Sequence, residues 1–270
     1  MRVALVQMAA GTDPDANLTT IERLTAGLDA ELIVLPEAVM HDFGTPTTLL
    51  GPAAQDLDGP FVTALSALAK RQRAAVVGGM FERSGDDDRP FNTLVVVGPD
   101  GELRTTYRKA HLYDSFGYRE SDRLSAGEPR PVVVDLGGLH AGLLTCYDLR
   151  FPEHSRALVD AGAQTLVVPA AWVRGPLKED HWETLVRARA IENTVYVAAA
   201  AQCGRAYSGR SMLVDPMGIA VAAAGEAAGV VTGEIRPDRL AEARERNPAL
   251  QHRRAWPAYA GPDGAAGSEP

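Results

Sequence analysis

Short apolar runs rich in β-branched residues recur along the whole chain, and the stretches between them carry apolar residues at helical spacing. This alternation of a two-residue with a roughly 3.6-residue period constrains the fold more than any other feature. Runs at residues 2–7, 31–35, 74–80, 93–97, 131–136, 141–145, 165–168, 195–199, 211–214 and 229–235 read as strands. Leu18, Ile21, Leu24 and Leu28 share one helix face. So do Phe61, Val62, Leu65, Leu68 and Ala69, and so do Trp182, Leu185, Val186 and Ala190. Turn chemistry at Gly98-Pro-Asp-Gly101 and Asp215-Pro-Met-Gly218 predicts two hairpins. Strands outnumber helices and both occur throughout, so the chain reads as a layered α/β domain with some antiparallel pairing. Its 270 residues are enough to bury a large core without disulfide staples.

Composition removes several function classes. A net charge of −8 offers no electrostatic footprint for nucleic acid or an anionic membrane. No apolar run approaches the roughly 20 residues that span a bilayer. The apolar stretch before Gln7 is too short for a secretory signal, and two cysteines, Cys146 and Cys203, cannot build a disulfide framework. The expected location is therefore the cytoplasm. Phosphate-loop, dinucleotide, zinc-protease and serine-elbow motifs are absent, and the six histidines are scattered. No metal or cofactor is expected. One domain is expected over residues 1–255, with residues 256–270 a C-terminal tail that is disordered at its end. The arginine-rich segment 236–254 reads as a solvated helix and its exit.

Three segments carry chemistry. In Leu143-Leu-Thr-Cys146-Tyr-Asp-Leu-Arg-Phe-Pro152-Glu153, an apolar strand meets the first turn of a helix at Cys146. A sharp turn there projects the sulfur out of the sheet, and nearby cations and a helix N-terminus would favour its thiolate. A thiol nucleophile needs a base. His154 is close in sequence but falls inside the following helix, pointing away from the elbow. Glu37 ends the buried-type strand Leu32-Ile-Val-Leu-Pro-Glu37, where a carboxylate is costly unless it is paired or working. The third segment is Tyr107-Arg-Lys109-Ala-His-Leu-Tyr-Asp. Only three of the 27 basic residues are lysines, and Lys109 stands immediately beside an arginine. A compact ammonium is not interchangeable with a guanidinium fork, so Lys109 is a candidate oxyanion donor. Lys70 and Lys178 read as solvated. Arg189 falls on the apolar stripe of its helix, where a charge needs a buried partner, and Arg150, Glu153 and Glu192 are expected to form such a structural network with it.

Together these segments resemble the nitrilase superfamily of carbon–nitrogen hydrolases. Its pattern has a Glu after a buried strand, a Lys before His-Leu, and a Cys in Cys-Tyr-Asp-x-Arg-Phe-Pro-Glu. Further matching stretches are Gly117-Tyr-Arg-Glu120-Ser, Pro169-Ala-Ala-Trp172, His181-Trp-Glu and Arg187-Ala-Arg-Ala-Ile-Glu-Asn193. The resemblance implies a four-layer αββα sandwich of two pseudo-symmetric halves, and a homodimer or larger homo-oligomer. It implies Glu37, Lys109 and Cys146 as catalytic residues, with Glu120 a second active-site carboxylate that orients Lys109 and contacts the substrate nitrogen. It implies a small linear amide substrate bearing a carboxylate, of the deaminated glutathione or ω-amide type, cleaved through a cysteine thioester without a cofactor. The Tyr147 N–H is expected to support the oxyanion, and Trp172 and Arg174 to bind substrate. Either Arg174 or Arg210 is the expected carboxylate clamp. The same three residues also serve N-carbamoyl amine hydrolases and nitrilases. A partner-binding scaffold is the non-enzyme alternative, although it would need none of them.

Overall fold

The computed structural model describes residues 1–254, so the expected tail at residues 256–270 lies outside them. In chain order the first half runs β1 (Arg2–Gln7), α1 (Pro14–Thr25), β2 (Leu32–Val34), α2 (Pro60–Gln72), β3 (Ala75–Glu82), β4 (Phe91–Val97) and β5 (Leu103–Arg108). A short ribbon of β6 (Asp114–Ser115) and β7 (Tyr118–Arg119) follows. The second half runs β8 (Val133–Asp135), β9 (His140–Leu143), α3 (Pro152–Asp160), β10 (Thr165–Ala170), α4 (Lys178–Asn193), β11 (Tyr196–Ala201), β12 (Met212–Val214) and β13 (Ala220–Ala223). Then β14 (Gly229–Glu234) returns to the first sheet, and α5 (Pro237–Arg246) closes the described chain.

Two six-stranded sheets result, ordered β14-β1-β2-β3-β4-β5 and β13-β12-β11-β10-β9-β8. Each is parallel at its centre, through β1-β2-β3 and β9-β10-β11, and antiparallel toward its edges. Side-chain alternation then sorts the core into three layers of contact. Val3 and Leu5 of β1, Leu32 and Val34 of β2, and Val167 of β10 meet between the two sheets, with Tyr196, Ala198 and Ala200 of β11. The intervening Ala4, Val6 and Ile33 face α1 and α2 through Ile21, Phe61 and Leu65. Leu166, Val168, Val197 and Ala199 face α3 and α4 through Leu158, Trp182 and Val186. Strands apolar on both faces require cover on both sides, and the four-layer αββα sandwich supplies it.

The helices start where local chemistry starts them. Asp13 accepts hydrogen bonds from the Asp15 and Ala16 N–H groups, and proline opens α1, α2, α3 and α5, where its missing N–H costs nothing. Both expected hairpins form, at β4–β5 and β12–β13. The returning strands β5 and β13 escape the periodicity reading because they lie at sheet edges and are largely exposed, without an apolar alternation.

The topology gathers chain exits at one end. Glu37 follows β2, Cys146 follows β9 and Trp172 follows β10, so the carboxyl ends of parallel strands from both sheets converge, as they do in other parallel α/β sheets. Gly79 lets the Glu37 loop lie against β3. A Cβ at Gly79 would stand 2.6 Å from the Ala38 nitrogen and 2.9 Å from the Glu37 Cα. Both are backbone atoms within a packed site, so Gly79→Ala is expected to cost about 1–3 kcal/mol. Urea melts check this, together with a fall in activity as Glu37 is displaced.

Candidate active site

Cys146 opens a 3₁₀ turn, Cys146–Arg150, three residues beyond β9, with φ +46°. Left-handed backbone is unusual for a side-chain-bearing residue and persists only where the surroundings over-determine it. Asp148 provides that constraint. Its fully buried carboxylate accepts hydrogen bonds from the Thr145 N–H at 2.9 Å and the Tyr107 hydroxyl at 2.7 Å. The His111 N–H donates to it at 3.1 Å, and its Oδ1 lies 2.7 Å from His111 Nδ1. Burial works against ionising Asp148. Hydrogen bonding from His111 and Tyr107, together with the nearby His154 ring, outweighs it and holds the carboxyl well below the usual range. His154 lies in α3 as expected, with Nδ1 3.7 Å from Asp148 Oδ1, and braces the turn rather than facing the pocket. His111, Asp148 and His154 are the one metal-type cluster among the described residues, and Asp148 already spends its acceptor capacity on the turn.

Glu37, Lys109 and Glu120 meet beside this turn. Lys109 Nζ donates to Glu37 Oε1 at 2.9 Å and to the Glu120 oxygens at 3.0 and 2.9 Å. The three side chains are 1–2% exposed. Asn92 Nδ2 also donates to Glu37 Oε1 at 2.7 Å, and the Ala171 N–H donates to Oε2 at 2.6 Å. Gln202 Nε2 holds the Glu37 carbonyl at 2.9 Å, so the second sheet grips this residue twice. Glu120 opens a second 3₁₀ turn and accepts from the Tyr113 N–H at 2.5 Å.

Burial alone would strip the Lys109 proton, but Glu120 and Glu37 reverse this and push its pKa well above the ordinary value. Burial raises the Glu120 pKa, Lys109 only partly opposes it, and repulsion from the Glu37 carboxylate adds to the rise. The Cys146 thiol is also pushed well up, first by burial and then by the Glu37 carboxylate. This corrects the expectation of a thiolate. The carboxylate beside the sulfur and its burial outweigh the Lys109 cation, so the resting sulfur keeps its proton.

These groups open on a cavity of about 470 Å³, which Cys146, Glu37, Lys109 and Glu120 line together with Tyr147, Trp172 and Arg174. Several expectations need correction there. Arg174 lines the cavity, but its guanidinium is spent on the Tyr207 carbonyl at 2.8 Å and Glu226 at 2.9 Å. Arg210 pairs with Glu183 at 2.8 Å. Neither is free to clamp a substrate carboxylate. Arg189 pairs with Glu192 and the Leu149 carbonyl, whereas Glu153 is exposed and Arg150 leaves that network to line the cavity. Lys178 is not solvated. It is buried, with Nζ 2.9 Å from the Tyr113 hydroxyl. The scarcity of lysine that singled out Lys109 applied equally to Lys178.

The sequence agrees with this geometry. Residues 2–245 match the carbon–nitrogen hydrolase family. The chain belongs to that family. A deaminated glutathione amidase of Escherichia coli O157:H7 is 41% identical over 229 residues, covering 85% of this chain and 87% of the relative. An omega-amidase of Mus musculus is 34% identical over 269 residues, covering 94% and 95%. A CN-hydrolase superfamily protein of Xanthomonas campestris, solved with an arsenic adduct in its active site, superposes with a TM-score of 0.85 at 32% identity, covering 95% and 98%. This carbon–nitrogen hydrolase is an amidase, and the reaction it catalyses is hydrolysis of an amide C–N bond. Among its described residues no helix is long and apolar enough to cross a membrane.

The Asp148 brace gives a signed pH expectation. A carboxyl held below its unfolded pKa stabilises fully above that pKa, and the contribution is lost as pH falls toward the folded value. Asp148→Asn is therefore expected to destabilise the carbon–nitrogen hydrolase by about 3 kcal/mol at neutral pH. The gap to wild type should narrow below about pH 4. Urea melts at several pH values measure it, and a gap that does not change with pH contradicts the ionised brace.

Proposed function

We propose that this chain is an amidase of the deaminated glutathione or ω-amide type, releasing ammonia and a free acid from a small linear amide that bears a carboxylate. The observation that carries the catalytic reading is a buried lysine held between two carboxylates beside a thiol on a strained turn. Glu37 is the general base. Its Oε1 is committed to Lys109 and Asn92, and Oε2 holds one N–H and keeps a lone pair for the Cys146 proton. Sγ attacks the amide carbon as Glu37 takes that proton. The oxyanion meets Lys109 Nζ, whose three donors rest on Glu37 Oε1 and the two Glu120 oxygens, so one of the two Glu120 contacts is exchanged for the oxyanion. The Tyr147 N–H, free of helical partners at the start of its turn, supplies the second donor. Glu37 returns the proton to the departing nitrogen, ammonia leaves, and a thioester remains on Cys146. Glu37 then deprotonates water, which hydrolyses the thioester and restores the thiol. Glu120 keeps Lys109 aligned throughout.

The substrate class rests on the two amidase relatives and on the size of the cavity. We read the working protein as a cytoplasmic homodimer without metal or cofactor. Free thiols support the compartment, and light scattering tests the assembly.

Loss of a preorganised oxyanion donor costs about 10²–10³ in kcat. Lys109→Arg is expected to lose nearly as much as Lys109→Ala, because a guanidinium cannot occupy an ammonium's place between two carboxylates. Near-normal turnover by the arginine variant contradicts the role given to Lys109. A slow amide, quenched during turnover, should leave an acyl mass on Cys146. The same mass on Cys203 contradicts the nucleophile. An ammonia-release screen over carboxylate-bearing amides, carbamoyl amino acids and nitriles separates the amidase from its relatives in chemistry.

A further inference from the structure

Two cations share the cavity and neither has a carboxylate partner among the described residues. Lys178 Nζ makes one hydrogen bond, to the Tyr113 hydroxyl at 2.9 Å. It otherwise stands over rings, 4.4 Å from the centroid of Phe116, 4.7 Å from Tyr113 and 5.5 Å from Trp172. The Arg150 guanidinium lies 4.8 Å from the Trp172 centroid and 6.0 Å from Phe116 and from Tyr147. Its Nε is buried and unpartnered, and its one polar contact is His181 Nδ1 at 3.4 Å. Both charges thus stand against the same Trp172 and Phe116 rings and repel each other. Burial, and then Arg150, pushes the Lys178 pKa below its ordinary value.

Other arginines lining the cavity are satisfied from within the protein. Arg174 pairs with Glu226, and Arg123 donates to the Tyr118 hydroxyl and to the Phe43 and Thr48 carbonyls. Ring faces attract a cation but leave its charge in place. An uncompensated pair of positive charges, Lys178 buried and Arg150 half-buried, is costly, and two spare ammonium donors and a guanidinium edge remain open to an acceptor. Cys146 lines the same cavity, so one small molecule can present an amide to the thiol and an anion to the cations.

We propose that Lys178 and Arg150 form the subsite for a carboxylate at the end of the acyl group remote from the scissile amide. This subsite rests on the amidase reading for its use in turnover and on the cation pair for its charge selectivity. It takes over the role expected of Arg174 or Arg210. It makes the enzyme discriminate between an acid-bearing amide and its neutral isostere, chiefly through KM, because the contact exists before and during the reaction alike.

The test compares glutaramate with valeramide, which differ at the distal carboxylate, in wild type, Lys178→Met and Lys178→Arg. Wild type should favour glutaramate. Lys178→Met should reduce the ratio of the two kcat/KM values by about 10- to 100-fold, mainly through KM for glutaramate. Lys178→Arg, which keeps the charge, should restore most of that ratio. Turnover of both amides with no wild-type preference, or a ratio that Lys178→Met leaves unmoved, overturns the proposal. Calorimetric titration of glutarate into Cys146→Ala, with and without Lys178→Met, separates the subsite from the chemistry. Lost affinity in the double variant supports the subsite even if wild type turns over neither amide, an outcome that would count against the proposed substrate class alone. Equal glutarate affinity, or no binding to Cys146→Ala, overturns the subsite.

Discussion

The Lys109 ammonium, buried between Glu37 and Glu120, is the interaction on which the rest of the site depends. Removing three ionisable groups from water costs several kcal/mol for each ion, and only close, well-aligned partners offset that. Partners come from far apart in the chain. Asn92 on β4, the Ala171 N–H beyond β10 and Gln202 beyond β11 all hold Glu37, so both sheets contribute to one carboxylate. The site can exist only if the two halves are packed face to face, which links its geometry to the apolar layer between the sheets.

The same charge arrangement explains the state of the nucleophile. Two carboxylates and one ammonium leave a negative excess, and a thiolate beside them would add to it. Cys146 therefore rests as a thiol and depends on Glu37 to remove its proton at the moment of attack. Lys109 can meet the new negative charge on the substrate oxygen without moving, because its neighbours already fix its position. Strain at the Cys146 turn belongs to the same arrangement. Asp148, braced by Tyr107, Thr145 and His111, holds a backbone conformation that the residue would not choose by itself.

A separate electrostatic theme runs along the cavity wall. Aromatic rings from Tyr113, Phe116, Tyr147 and Trp172 surround Arg150 and Lys178, so the wall is apolar in surface and positive in field. One end of the cavity thus carries the negative catalytic cluster and the wall carries unbalanced positive charge. A substrate with an amide at one end and an anion at the other suits that asymmetry.

Much of this was legible in the residues. Period-two runs apolar on both faces demanded sheets covered on both sides, proline and Asp13 marked helix starts, and turn dipeptides marked the two hairpins. Glu37, Lys109 and Cys146 stood out because each is a reactive group at the end of an apolar strand, or a rare residue type where arginine is the rule. Edge strands β5 and β13 were not legible, since an exposed strand has no need of apolar alternation. The partnerships of the charged residues were not legible either. Whether Arg150 joins Arg189 or faces the cavity, whether Lys178 is solvated or ringed by aromatics, and whether Arg174 is free or spent on Glu226 all depend on which loops meet. The sequence by itself determined the layers and the chemical types available. Only the tertiary structure decided protonation and pairing, because pKa values and ion pairs follow from burial and from neighbours distant along the chain, which local pattern does not encode.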